Sequence, residues 1–379
     1  MRFVSMNNCF QGVYNRKRIL ITGHTGFKGS WLSLWLKELG ADVIGYALEP
    51  PTKPNLFDTL CLNEKVTHII GDVRAEKHLY SVFEKYSPEF VFHLAAQPLV
   101  RLSYKEPTLT YETNVIGTVN VLEAVRKTDS VRSCIIVTSD KCYENREWIY
   151  GYRETDPIGG FDPYSSSKGC AELVTAAYRS AFYNPKDYGK IHKAALSSVR
   201  AGNVIGGGDW GEDRLIPDCI RALSQNKAIN IRSPQATRPW QYILEPLTGY
   251  LLLGALMYED GAKYSSAWNF GPNDESIKTV EELVKLVIKY WDGGAYTIDS
   301  SSSQLHEAGL LKLDASKARA MLGWKPIYDV YEAVEKTINW YKNFYNDMRK
   351  EELYEFTVMA IEEYVSRMSE VYRRRGEGD

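Results

Sequence analysis

Tyr164 and Lys168 are the two residues whose types and spacing most directly suggest chemistry. In the run Tyr164-Ser165-Ser166-Ser167-Lys168 they stand at i and i+4, so on a helix the phenol and the ammonium share one face. A cation there stabilises a phenolate near neutral pH, which makes Tyr164 a candidate general base toward an alcohol. Of the 26 tyrosines in the chain, it is the only one followed by a lysine four residues on. A second group, Thr138-Ser139-Asp140, ends an apolar run, so its hydroxyls emerge at the end of a strand. A third, Gly23-His24-Thr25-Gly26-Phe27-Lys28-Gly29, has the spacing G-x-x-G-x-x-G between an apolar run and a segment with helical spacing. There a glycine turn lets backbone N–H groups and a helix N-terminus meet a pyrophosphate. The acidic residue expected about 20 positions on, to take the adenosine ribose hydroxyls, is missing. That strand ends Gly45-Tyr46-Ala47-Leu48, with Glu49 slightly late, so NAD and NADP both stay open from these residues. Gly71-Asp72-Val73 is placed either to meet an adenine edge or to make a capped turn.

These groups need elements to hold them. The first apolar run, Arg18 to Thr22, reads as a buried parallel strand running straight into Gly23. Ser30 to Leu39 has helical spacing, and Gly40 sits where a helix end prefers glycine. The cycle continues with strands at Asp42 to Ala47, Thr67 to Ile70, Phe90 to Leu94, Cys134 to Thr138 and Ala194 to Val199. Helices fall at Lys77 to Tyr86, Thr110 to Lys127 and Tyr164 to Phe182. Alternating strand and helix predicts an α/β fold, a doubly wound parallel Rossmann sheet. After Gly202 the rhythm breaks into Gly206-Gly207-Gly208-Asp209-Trp210-Gly211, a helix near Ile216 to Gln225 and short aromatic segments. This reads as a smaller C-terminal substrate-binding lobe closing over the carboxyl ends of the strands. The domain reading is an N-terminal extension at 1–16, a dinucleotide-binding domain at 17–202, a lobe at 203–340 and a helical extension at 341–379. From Asn339 onward one long polar helix is expected, with apolar positions at Tyr354, Phe356, Met359, Ile361 and Tyr364 and a frayed basic end at Arg373 to Gly376. Ser300 to Ser303 reads as a loop.

Composition sets bounds on function. Forty-four per cent hydrophobic and 25% charged residues over 379 positions is ordinary globular composition. Forty-six Lys and Arg against 48 Asp and Glu, a formal charge of −2, give no sustained positive field, so neither nucleic acid nor an anionic membrane is expected as a partner. The longest apolar run, Tyr250 to Tyr258, is too short to span a bilayer. The six cysteines lack zinc-site spacing and read as reduced thiols in a cytoplasmic chain. The histidines form no metal-binding pattern, and no metal is expected.

Taken together, the glycine turn, His93-Leu94-Ala95-Ala96, Asn114, Thr138-Ser139-Asp140 and Tyr164-x-x-x-Lys168 resemble the extended short-chain dehydrogenases/reductases in their nucleotide-sugar-modifying branch. The resemblance covers roughly residues 17–340. Ser139-Asp140-Lys141-Cys142-Tyr143, Asp162 to Lys168 and Arg200 to Trp210 are most similar to the branch members that dehydrate CDP-glucose. This similarity implies NAD as cofactor, CDP-glucose as substrate, a homodimer, and a place in deoxysugar synthesis for lipopolysaccharide O-antigen. It further implies that Gly23 to Gly29, Asp72, Val73, Ala95, Ala96, Gln97, Asn114, Thr138, Tyr164 and Lys168 hold the cofactor. Lys168 would lower the pKa of Tyr164, the base at the glucose 4-hydroxyl, while Ser139 bonds that oxygen. Asp140 would be the acid at the 6-hydroxyl. Where dTDP-glucose dehydratases show Asp-Glu this chain has Asp140-Lys141, so Lys141 is expected as the base at C5, either itself or by polarising the ketone while another group moves the proton. Asn203 and Arg238 match diphosphate-binding positions, with Arg214 and Arg232 as further candidates. Asn269 matches a cleft position, with turn formation as its other reading. A 4-epimerase and a non-catalytic dinucleotide-binding module remain as alternatives. The Asp140-Lys141 pair argues against the first and the intact Tyr-Lys pair against the second.

Overall fold

The computed structural model describes residues 6–298 and 309–376. The Ser300–Ser303 run therefore lies outside the described residues. Six apolar runs form six parallel strands: β1 (Arg18–Thr22), β2 (Asp42–Ala47), β3 (Thr67–Ile70), β4 (Phe90–His93), β5 (Ser133–Val137) and β6 (Ala195–Ala201). The seventh, β7 (Ala267–Phe270), pairs in parallel with β6. The order β7-β6-β5-β4-β1-β2-β3 reverses direction between β1 and β4, which is where open α/β sheets bind ligands. β7 falls inside the stretch read as the lobe, so the lobe segment also contributes an edge strand to the main sheet.

The helices that flank the sheet and carry the site are α1 (Phe27–Glu38), α2 (Glu76–Tyr86), α3 (Gly117–Arg126) and α4 (Pro163–Ala181). Helix α1 begins three residues before the expected Ser30, so the glycine turn itself supplies its first turn and Lys28 lies on the helix. Gly40 has φ of +80° just after it, the left-handed conformation expected of a glycine closing a helix. The helix expected from Thr110 starts at Pro107 and passes through a π segment, Glu112–Ile116, before α3.

The longer helices that follow are α5 (Leu215–Ser224), α6 (Leu244–Glu259), α7 (Val280–Trp291), α8 (Val330–Tyr345) and α9 (Lys350–Gly376). Helix α6 explains the longest apolar run. Leu247, Tyr250, Leu251 and Leu253 are all buried, as a helix apolar on every side must be. The single long helix expected from Asn339 is corrected to two, α8 and α9. They are separated by Asn346–Arg349, where Asp347 adopts φ of +55° and breaks the helical path. In α9, Leu353, Ile361 and Tyr364 are buried, whereas Met359 points outward. The N-terminal extension folds onto the core. Tyr14 is buried and its hydroxyl donates to Leu251 O at 2.5 Å. Gly206 to Gly208 serve close packing. A Cβ on Gly207 would lie 2.1 Å from the Trp340 ring, and Trp31 donates to Gly207 O.

Candidate active site

At the carboxyl edge of the sheet the glycine turn approaches the chain leaving β4. Gly23 has φ of +77°, and a Cβ there would lie 2.7 Å from Ala95 N. On Gly29 a Cβ would lie 2.1 Å from Gly23 O, so neither position admits a side chain. No side chain caps the N-terminus of α1 at Gly26. A glycine cradle and a helix N-terminus without a side-chain cap fit the pyrophosphate of a dinucleotide. Thr25 ties the turn to the end of β2 by donating to Leu48 O at 2.9 Å. The His24 ring turns inward over Gly45 and meets His68 at 2.7 Å between ring nitrogens. It contributes backbone to the turn and an imidazole to the core. Phe27 and Gly206 also meet closely here.

The carboxyl end of β2, Gly45-Tyr46-Ala47, carries no carboxylate for an adenosine ribose. Instead Tyr46 donates to the Asp72 carbonyl at 2.9 Å, and Arg74 grips the Asp72 carboxylate at 2.6 Å, which holds its pKa low. Val73 is buried beneath Gly117. Beyond Ala95 and Ala96, the Gln97 N–H donates to Asn114 Oδ1 at 2.8 Å, and Asn114 Nδ2 donates to Gln97 O and to Ser167 Oγ. Asn114, in the π segment, thus staples the loop after β4 to helix α4. Its amide is used there, so its effect on a bound cofactor runs through those two elements.

Helix α4 presents the phenol. Asp162 caps it, accepting from Ser165 N at 2.9 Å, Pro163 occupies its first position, and Tyr164 N donates to Ser103 Oγ. Burial pushes the Tyr164 pKa up to about 12, with Ser139 and Arg214 pulling the other way. Lys168, one turn along the same helix, donates from its ammonium to Val137 O at 3.2 Å, the carbonyl that ends β5. Burial and the nearby Lys28 push its pKa down to about 8, opposed by Glu172. Arg214 also favours the phenolate.

Ser139, Asp140 and Lys141 stand on a single turn after β5. Ser139 Oγ donates to Asp140 Oδ1 at 2.9 Å and accepts from Lys141 N at 3.2 Å. Burial raises the Asp140 pKa, opposed by Lys141, Ser139, Lys28 and Arg238. The Thr138 hydroxyl turns away from the sheet edge and donates to Glu172 Oε1 at 2.5 Å.

Arg214 is locked to Asp209 at 2.8 Å, and Asp209 is the main cause of its raised pKa. Arg238 acts on Asp140 and donates to Thr237 O and Gly309 O. Asn203 lies two residues past the end of β6, its carbonyl accepting from Gln241 N. Arg232 is exposed, pairing with Asp213 at 3.4 Å, and it lines a polar cavity of about 380 Å³ with Asp218, Arg221 and Asn230. Asn269 is fully buried in β7. It accepts from Tyr143 Oη at 2.8 Å and donates to Tyr152 O and Asp314 O, so its amide braces the wall of the cleft.

Four participants went unnoticed in the sequence or were read only in part. The Lys28 side chain reaches the cluster of Asp140, Asp209, Arg214 and Lys168, where burial and Arg214 push its pKa down to about 8. Asp209 pairs with Arg214, and Glu172 and Arg200 form a buried pair at 2.8 Å. Only Glu172 carried a signal, sitting at i+4 from Lys168 and so on the same helix face.

The family model described as GDP-mannose 4,6 dehydratase matches residues 20–337. A CDP-glucose 4,6-dehydratase of Salmonella typhimurium is 50% identical over 359 residues, covering 95% of this chain and 98% of that protein. Among solved structures, an epimerase from Methanothermobacter thermautotrophicus superposes with a TM-score of 0.76 at 22% identity, covering 92% of this chain and 99% of that one. A dTDP-glucose 4,6-dehydratase from Bacillus anthracis, in complex with NAD, gives a TM-score of 0.70 at 21% identity, covering 86% and 97%.

Proposed function

The chain belongs to the GDP-mannose 4,6 dehydratase family, and from that premise we propose that it converts CDP-D-glucose to CDP-4-keto-6-deoxy-D-glucose and water, with NAD regenerated in each turnover. The observation that carries this reading is the half-identity to the Salmonella dehydratase over nearly the whole chain. The convergence of Tyr164, Ser139, Asp140 and Lys141 on one cleft supports it.

The glycine turn would hold NAD, which would supply a hydride acceptor for C4 and then a hydride donor for C6. Tyr164 Oη takes the proton of the 4-hydroxyl. Burial holds this phenol at about 12 even with Ser139 and Arg214 pulling it down, so further positive charge is needed for it to give up its proton near neutral pH, and Lys168, one turn along the same helix, is the cation placed to add it. Ser139 Oγ hydrogen-bonds the same sugar oxygen and fixes its direction. The resulting 4-ketone acidifies C5–H, so a base can remove that proton while an acid protonates the departing 6-hydroxyl. Asp140, a carboxyl whose pKa burial raises, is the acid, and Lys141, its neighbour on the same turn, is the base. Water leaves, giving a 4-keto-5,6-ene, and Lys141 returns a proton to C5 as C6 is reduced. The sugar loses one water and the whole reaction is redox-neutral.

Arg214, Arg238 and Asn203 bind the diphosphate, two of them offering guanidinium forks suited to phosphate oxygens. The polar cavity beside Arg232 takes the nucleoside end. Tyr111, Ile116, Leu173 and Phe182 leave an apolar surface exposed along the π segment and α4, and a second copy of this chain is its partner in a homodimer. Six unpaired cysteines and a nucleotide-sugar substrate support a cytoplasmic setting, within deoxysugar synthesis for surface polysaccharide. Incubation with NAD and a panel of CDP-, dTDP-, UDP- and GDP-hexoses tests the reading. CDP-glucose alone should lose one water. Preferential turnover of another nucleotide sugar would reassign the substrate, and an unchanged product mass would indicate an epimerase.

A further inference from the structure

Beneath the cleft lies a charge pair that the proposed mechanism does not use. Glu172 on α4 is fully buried and accepts three hydrogen bonds, from Thr138 Oγ1 at 2.5 Å, Ser198 Oγ at 2.6 Å and Arg200 Nη2 at 2.8 Å. Arg200, buried on β6, donates its other nitrogen to Tyr143 Oη at 2.5 Å and lies over the Tyr143 ring at 4.8 Å. Tyr143 in turn donates to Asn269. Thr138 and Tyr143 are the residues on either side of Ser139–Cys142. The two ends of the acid–base turn are therefore tied to the two members of one ion pair. Glu172 also sits one helical turn beyond Lys168 and two beyond Tyr164, on the same face.

We propose that the Glu172–Arg200 pair is a positioning device, which holds the turn bearing Ser139, Asp140 and Lys141 in register with the helix bearing Tyr164 and Lys168. This rests on the dehydratase reading above. A buried pair of this kind adds little net stability compared with apolar residues of similar volume, whereas it specifies one arrangement of the groups bonded to it. Its consequence is asymmetric. Tyr164 has anchors of its own in the Asp162 cap and Ser103 and meets the turn only through Ser139, so oxidation at C4 is less sensitive to loosening of the turn than elimination is. Elimination needs Asp140 and Lys141 to meet C6 and C5 of a sugar already fixed by Tyr164, and a displacement of about 1 Å there costs about 10²-fold. The pair also acts on charge. Lys168 is faced by Lys28 from α1, His93 from β4, Cys142 from the turn and Glu172 from its own helix, and Glu172 raises its proton affinity.

Two variants test this. Glu172→Leu/Arg200→Met removes both charges together, so no unpaired ion is left buried, and Tyr143→Phe cuts one tie while keeping the pair. Both are measured with CDP-glucose and NAD in single turnover, following reduced-cofactor absorbance, product mass and thermal midpoint. The expected result is a folded protein in which C4 oxidation persists, elimination slows by tenfold or more, and reduced cofactor accumulates. In the double variant the alkaline limb of the C4-oxidation profile, where Lys168 loses its proton, also moves to lower pH. A double variant that folds and forms product at the wild-type rate overturns the proposal. So does equal loss of both steps in both variants, with the pH profile unmoved. If the wild-type protein turns over no CDP-glucose, the dehydratase reading itself fails, and that result is read separately from the variants.

Discussion

Gly202 follows the last residue of β6 and faces the proposed acid. A Cβ at this position would lie 2.7 Å from Asp140 Oδ2, where ordinary contact starts near 3.4 Å, so in Gly202→Ala the carboxyl must retreat by about 0.7 Å. The clash is with the end of a side chain, and Gly202 does not adopt a positive φ. Stability should change little, because alanine gains about 0.4–1 kcal/mol by restricting the unfolded chain, which offsets the shift. The thermal midpoint should stay within about 2–4 °C of wild type. Activity should respond differently, since a catalytic group moved by a large fraction of an ångström costs on the order of 10²-fold. Tyr164 is not touched by the added methyl, so the two half-reactions should separate. In single turnover with CDP-glucose, cofactor reduction should proceed near the wild-type rate, while loss of water falls about 10²-fold and reduced cofactor persists. Wild-type elimination in this variant, or loss of cofactor reduction in parallel, would refute the placement of Asp140 as the acid at C6.

Tyr164→Phe should lower cofactor reduction by about 10²–10⁴-fold with the fold intact, measured as absorbance after mixing with CDP-glucose. Lys141→Ala should retain cofactor reduction and stall before water is lost, and normal product formation would remove Lys141 from the base role. Glu245 is buried with its carboxylate accepting from Ile327 N, Tyr328 N and Tyr364 Oη, and burial raises its pKa to about 7. A carboxyl that ionises at higher pH when folded makes stability fall as pH rises from about 4.5 through about 7, by on the order of 3 kcal/mol. The thermal midpoint should therefore decline across that range in the wild type and much less in Glu245→Gln. If the chain forms the proposed homodimer through this face, Leu173→Asp together with Ile116→Asp should give a monomer by light scattering, while a dimer of unchanged affinity would move the interface elsewhere.

Much of this site could be read from the sequence because local spacing determined it. Tyr164 and Lys168 share a face through i, i+4 geometry alone, and the glycine turn is marked by the strand before it and the helix after it. Strands β1 to β6 show themselves as short apolar runs. By contrast, β7 is only Ala267–Phe270, and its Asn269 disguises a buried strand as a turn. The Gly206–Gly208 run reads as a break in rhythm because its partners, Trp31 and Trp340, lie far away in sequence. The partner that Lys168 finds was likewise hidden, since the carbonyl of Val137 becomes available only once β5 and α4 pack together. Glu172 and Arg200 are 28 positions apart, on different elements, and only the assembled sheet brings them together. Long-range polar pairs of this kind leave no periodic trace.

The measurement that tests the dehydratase chemistry most directly is the fate of deuterium placed at C4 of CDP-glucose during turnover with NAD. If Tyr164, Asp140 and Lys141 act as assigned, the label appears at C6 of a product that has lost one water. Label retained at C4 in a product of unchanged mass would contradict elimination and leave an epimerase, and no transfer at all would leave a dinucleotide-binding protein without this activity.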